Sequence, residues 1–144
     1  GALSSPPPPC IDSYDANDTM ETAWGRLTSG ALYLPKFCAS ADVDFFRFSV
    51  DRSGAVTIVV TAGGTPLRAT LFSNGTQVGA SADVNANSSR TLTTTVGSGS
   101  GESIAAVPFV LKFEPTGLIT EEGSYNFKAT FGSSAPVRSR VSRR

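Results

Sequence analysis

Apolar residues recur at every second position along most of this chain. Phe46, Phe48 and Val50 share one face, with Arg47 and Ser49 on the other. Val56, Ile58 and Val60 alternate with Thr57, Val59 and Thr61, and Leu67, Ala69 and Leu71 with Arg68, Thr70 and Phe72. Leu92, Thr94 and Val96 repeat the pattern more weakly. Val107, Phe109, Leu111 and Phe113 form a long row, and Tyr125, Phe127, Ala129 and Phe131 close the series. A shorter alternation surrounds Leu32 and Leu34. A period of two marks strands with one buried face. Between the rows lie Arg52-Ser-Gly54, Gly63-Gly64, Asn74-Gly75 and Glu122-Gly123, all turn formers, and Asn74-Gly75 is the clearest hairpin signal. Gly97-Ser-Gly-Ser-Gly101 reads as a mobile loop. About seven or eight short strands at this spacing predict an all-β, antiparallel sandwich. No internal repeat is present.

The period is absent at both ends. Residues 1–9, GALSSPPPP, favour an extended polyproline segment and read as the end of a linker or stalk. Asp18-Thr-Met-Glu21 has the form of a capping box, with Asp18 as N-cap, Glu21 at N3 and Gly25 as the stop. It predicts one short N-terminal helix over Thr19–Trp24. Residues 134–144 are Arg- and Ser-rich and read as a flexible tail. The expected division is therefore a linker (1–9), a sandwich domain (10–133) and a tail (134–144).

A chain of 144 residues suits one domain. Few charges (17%) and many Ser and Thr point to an extracellular rather than a cytosolic setting. No apolar run reaches the ~18 residues of a membrane span, so membrane insertion is not expected. No signal peptide is visible, and the expectation is a piece of a longer, processed protein. The net charge of +0 hides an asymmetry. Arg138, Arg140, Arg143 and Arg144 crowd the last seven residues, leaving 8 basic and 12 acidic residues before them. That balance argues against nucleic acid as a partner of the domain.

Two cysteines, Cys10 and Cys38, flank one segment, which fits a single disulfide in an oxidising compartment; two buried free thiols are the alternative. A bridge closing such a loop contributes about 3–4 kcal/mol. Asn17, Asn74 and Asn87 each begin a sequon and are glycosylation candidates.

Catalysis finds little support. With 0 histidines there is no Ser-His-Asp triad, no Cys-His pair and no His-ligated zinc. Asp42 and Asp44 lie side by side on one strand face, not on opposite sides of a bound sugar as glycoside cleavage requires. The acids suit a hard cation better, since calcium takes six to eight oxygens from carboxylates, amides, carbonyls and water. Asp12, Asp15, Asn17 and Asp18 supply oxygens from an irregular segment, and Asp42 and Asp44 supply more where a strand begins. A Cys10–Cys38 bridge would bring the two segments close. The same residues also suit purely structural work, with Asp18 as a helix cap, Asp15 in a turn, and Asp42 and Asp44 solvated.

Two stretches carry a family resemblance. Asp12-Ser-Tyr-Asp15-Ala-Asn17-Asp18-Thr-Met-Glu-Thr-Ala23 and Asp42-Val-Asp44-Phe-Phe46-Arg-Phe48-Ser-Val50 resemble the bacterial pre-peptidase C-terminal (PPC) domain, a group that includes the collagen-binding domain of clostridial collagenases. Ser53–Ile58, Leu71-Phe72-Ser-Asn-Gly75 and Gly123-Ser-Tyr125-Asn-Phe127 fit later parts of the pattern, so the likeness spans about residues 12–131. It implies a jelly-roll-like β-sandwich, here of about 7–9 strands. It also implies a calcium site built from Asp15, Asn17, Asp18, Asp42 and Asp44, with Asp12 as a possible substitute ligand. Ala16 departs from the family's usual Pro, and Ser13 from a second acid. Collagen binding does not carry over, because that surface uses exposed tyrosines and this chain has 3 tyrosines in all.

The resulting expectation is a non-catalytic extracellular accessory or structural module. It would bind protein or glycan within a larger secreted or surface glycoprotein, with Pro-rich segments of the same or a neighbouring chain as further partners. The Ser-Ser-Pro-Pro-Pro-Pro spacer with sequons resembles Pro-rich glycoproteins of algal walls. The alternatives are a carbohydrate-binding module, which requires two or three coplanar exposed aromatics, and a processed C-terminal appendage of a secreted protease.

Overall fold

A computed structural model describes residues 14, 17–38, 42–117, 119 and 123–134. The Pro-rich segment and the Arg-rich tail, with Cys10, Asp12 and Asp15, lie outside the described residues. Ten strands are present among those described: β1 (Trp24–Gly25), β2 (Leu32–Tyr33), β3 (Asp44–Arg52), β4 (Gly54–Ala62), β5 (Leu67–Ser73), β6 (Thr76–Gln77), β7 (Ala82–Val84), β8 (Ser89–Val96), β9 (Ser103–Pro115) and β10 (Tyr125–Thr130). They form two sheets. The first runs β1-β3-β9-β5-β6, with β7 also paired to β5; the second runs β2-β10-β4-β8. Every pairing is antiparallel except β1 with β3. The all-β sandwich expected from the two-residue period is the observed architecture.

The core lies where the period placed it. Phe46, Phe48 and Val50 of β3, Leu67, Ala69 and Leu71 of β5, and Phe109, Leu111 and Phe113 of β9 face Val56, Ile58 and Val60 of β4 and Tyr125, Phe127 and Ala129 of β10. Large and small side chains alternate across the register, with Phe113 opposite Ala69 and Ile58 opposite Ala129. Interiors fill to crystal-like density in this way. Aromatic contacts join the sheets: Phe127 lies 4.9 Å from Phe46 and 4.8 Å from Phe113 between ring centroids. Such pairs each contribute about 0.5–1.5 kcal/mol beyond the area they bury.

Asn74 and Gly75 both take positive φ (52° and 78°) in the two-residue turn joining β5 to β6. That conformation matches strand twist in a tight hairpin and is why the pair is Asn-Gly. The glycine-rich bend after β8 is clasped rather than free: the Gly101 N–H donates to the Ser53 carbonyl, and the Ser53 N–H to the Glu102 carbonyl, each at 2.8 Å.

The predicted N-terminal helix is not formed. Thr19 and Thr22 satisfy each other instead, through reciprocal backbone and hydroxyl bonds of 2.8–3.3 Å. This leaves a single turn, and Trp24 then pairs with Phe46 as part of β1. Two turns of helix nucleate poorly, and strand pairing against a buried Phe wins. Two strands also escape the sequence pattern. β1 is too short for periodicity, and β7 hides its Ala82-Asp83-Val84 alternation within a run of small polar residues.

The C-terminal end of the described domain is fastened by charge. Asp51 accepts from both the backbone N–H and the hydroxyl of Ser134. The Ser134 bonds hold its carboxyl below the ordinary carboxylate range, and the Arg68 hydrogen bond and charge do the same for Asp83. A lowered folded pKa gives stability that is fully present above the unfolded value of about 3.8 and lost as pH falls below it. Asp51→Asn should therefore lower the neutral plateau of a melting-temperature profile and flatten its acid limb, so that variant and parent converge below pH 4. An acid limb identical to that of the parent chain would show that the Ser134 latch contributes nothing.

Candidate metal centre

The site is assembled by a backbone bond. The Phe45 N–H, at the start of β3, donates to the Asn17 carbonyl at 2.8 Å. Tyr14 holds the same segment from upstream by packing edge-on against Trp24 (4.8 Å) and Phe46 (5.4 Å). Asn17 and Asp18 are thereby laid beside the first residue of β3, Asp44. Asp42 reaches the same place from the preceding loop, where its Oδ2 accepts the Cys38 N–H at 2.8 Å.

Carboxylate oxygens of Asp18, Asp42 and Asp44 all lie within 4.8 Å of one another. Asp18 is exposed, Asp42 half-buried and Asp44 fully buried. Like charges this close repel by about 1–4 kcal/mol per pair, depending on how far water screens them. One Asp44 oxygen accepts the Tyr125 hydroxyl at 2.6 Å. Asn17 is the least expected member. Its side chain is 0% exposed, and neither its Oδ1 nor its Nδ2 has a hydrogen-bond partner. Leaving a buried amide unpaired costs about 1–3 kcal/mol for each group.

Of the six predicted ligands, Asp18, Asp42 and Asp44 bring their carboxylates together, and Asn17 is tied by its backbone carbonyl to the start of β3. Asp12 and Asp15 lie outside the described residues. The structural alternatives change. Asp18 caps no helix, because none forms, whereas Asp42 does close a short loop. Tyr125 was missed as a site residue. It reads as an ordinary core position, and only the meeting of β10 with the start of β3 reveals its hydroxyl as the donor to Asp44. Asn17 also begins a sequon, yet its buried amide leaves no space for a glycan in the folded domain. Asn74 and Asn87 are exposed in turns. Cys38 carries no free thiol.

The aromatic residues near the site do not form a flat platform. Tyr14, Trp24 and Tyr33 meet at interplanar angles of 82°, 70° and 67°. They pack as a wedge onto the core, half-buried, with the Tyr33 hydroxyl accepting the Thr28 N–H at 2.7 Å. Coplanar stacking on a sugar face is not available to that trio.

No protein-family model and no curated protein sequence matches the chain. Its structure is similar to that of the pre-peptidase C-terminal domain of collagenase from Bacillus anthracis, with a TM-score of 0.50 and 13% identity, over 71% of this chain and 90% of that one. The fold is that of a pre-peptidase C-terminal domain.

The Tyr125 hydroxyl can be isolated by a conservative change. Tyr125→Phe keeps the ring stacked on Phe37 (4.6 Å) and removes one donor from the buried Asp44 carboxyl. The expected loss is about 1.5–3 kcal/mol, the range for a hydrogen bond to a charged group, measured by urea unfolding. A loss under about 0.5 kcal/mol would mean that this bond adds no more than an ordinary exposed contact.

Proposed function

We propose that this chain is a non-catalytic accessory module of a larger secreted or cell-surface protein, and that calcium stabilises it by binding at Asn17, Asp18, Asp42 and Asp44. One observation carries the reading: three carboxylates converge where β3 begins, and the segment bonded to β3 there contains a fully buried amide without a hydrogen-bond partner. A cation satisfies both costs at once, drawing an amide oxygen as ligand and cancelling the repulsion. An all-oxygen donor set with an amide and carboxylates suits calcium rather than a soft metal. The ion would hold the N-terminal segment against β3; its role is architectural. Binding protein or glycan partners in an extracellular assembly is the work such a module would do. The wedge packing of Tyr14, Trp24 and Tyr33 disfavours a carbohydrate-binding platform. A protease appendage remains the second reading, favoured by the fold's likeness to a collagenase domain.

Melting curves with millimolar calcium and with chelator test the metal. At a hundredfold excess over Kd the ion adds about 2.7 kcal/mol. For a domain of this size that is a rise of about 5–10 °C. Asp18→Ala, at an exposed position, should abolish the difference and leave the chelated protein's melting temperature equal to or above the parent's, because one of three repelling carboxylates is gone. Equal melting temperatures with and without calcium would rule the site out.

We also propose that Cys10 and Cys38 form the domain's disulfide, an extracellular trait that ties the start of the domain to the loop carrying Asp42. Alkylation of the denatured chain without reductant should leave its mass unchanged, and after reduction it should add two labels. Two labels without reductant would refute the bridge.

A further inference from the structure

The two sheets have four ends, and three of them are blunt. β1, β2 and β6 are two residues each, and β7 beside β6 has three. Strands this short offer no template for another chain. The fourth end is different. β8 runs for eight residues, pairs with β4 along its whole length without a register shift, and has no second hydrogen-bonded strand among the described residues, although β7 of the other sheet packs beside it and takes the Arg90 bond. It contains no Pro, Gly or Lys, the usual edge protectors. Its one charge, Arg90, is turned to the Asp83 carbonyl (3.1 Å). Ser89, Arg90, Thr91, Thr93 and Thr95 are exposed, while Leu92 and Val96 anchor the strand in the core.

We propose that β8 is a self-association edge. A second copy of this chain adds its own β8 antiparallel to the first, and the two four-stranded sheets become one continuous sheet. Strand β8 is compatible with itself. A two-fold axis through Thr93 sets Thr91 against Thr95, Leu92 against Thr94, and Arg90 against Val96, so no like charges meet. Paired residues also face the same side, outward for 91 and 95 and inward for 92 and 94, as an antiparallel ladder requires. The outward hydroxyls have a model within the sheet itself, where Thr61 and Ser89 bond across β4 and β8 at 2.7 Å. Cross-strand Thr–Thr pairs of this kind stabilise sheets. An unrelated extended peptide is a poorer occupant. Recognition of a foreign strand relies on pockets for alternate side chains, and a flush row of threonines provides none. The self-pairing is isologous and closes at two copies.

Analytical ultracentrifugation of the full chain across micromolar to millimolar concentrations should show the mass rising from one chain to two. Thr93→Lys places two ammonium groups opposite each other on the axis and should remove the dimer while keeping the parent's melting temperature. Thr93→Cys should form a disulfide-linked dimer under mild oxidation, whereas Thr28→Cys, distant in the fold, should not. This second variant decides the matter if the lysine variant folds poorly. A monomer at every concentration, a dimer indifferent to Thr93→Lys, or equal crosslinking at both cysteine positions would overturn the proposal.

Discussion

The hydrogen bond from the Tyr125 hydroxyl to the Asp44 carboxyl joins the two layers that a sandwich normally keeps apart. Tyr125 belongs to the second sheet and Asp44 to the first, so the bond spans the two layers at one end of the core. Its ring is fixed by Phe37 at 4.6 Å and Phe113 at 5.1 Å, both buried. The position of a buried acid is thus set by core packing rather than by loop conformation. An acid placed there needs donors or a cation, and the converging residues follow from that need. The site is consequently as rigid on its β3 side as the core itself.

On the other side, rigidity comes from the segment before β1. The Asn17 carbonyl takes the Phe45 amide near the start of β3, and the Tyr14 ring docks on Phe46. Both contacts spend conformational entropy on a stretch with no secondary structure of its own, about 1–2 kcal/mol for each residue ordered. The buried amide of Asn17 adds to the cost. Core packing by Tyr14 and Trp24 offsets part of it. On the proposed reading, a cation that engages Asn17 would supply the rest.

How much of this was legible in the sequence depended on the range of the interactions involved. Half-buried strands leave a two-residue period in the chain itself, so β3, β4, β5, β9 and β10 could be read directly. Asn74-Gly75 was legible for a similar reason, because the turn's backbone demands those residues. The capping box misled because it is a local signal. It carries no record of Phe46, which lies 22 positions after Trp24 and takes it into β1. Acid spacing disclosed Asp18, Asp42 and Asp44, since carboxylates near a strand start are conspicuous. Tyr125 and the burial of Asn17 were invisible, because each depends on which chain segment lies opposite. The strand β7 was lost to brevity alone.

The two open sides of the sandwich are treated oppositely, and the difference follows from composition. On one side, between β1 and β2, Tyr14, Trp24 and Tyr33 fill the gap edge-to-face and bring the site's segment with them. Large rings are needed there because the flanking strands are too short to cover the core by themselves. On the other side, β8 covers the core with Leu92 and Val96, helped by Ala82 and Val84 of β7 beside it. No wedge is required, and the strand's outer backbone is left without one. A sheet end that covers its own core in this way is also an end that another strand can reach. The side between β1 and β2 is therefore where the domain holds its own N-terminal segment, and the side beyond β8 is where the proposed second copy would add its strand.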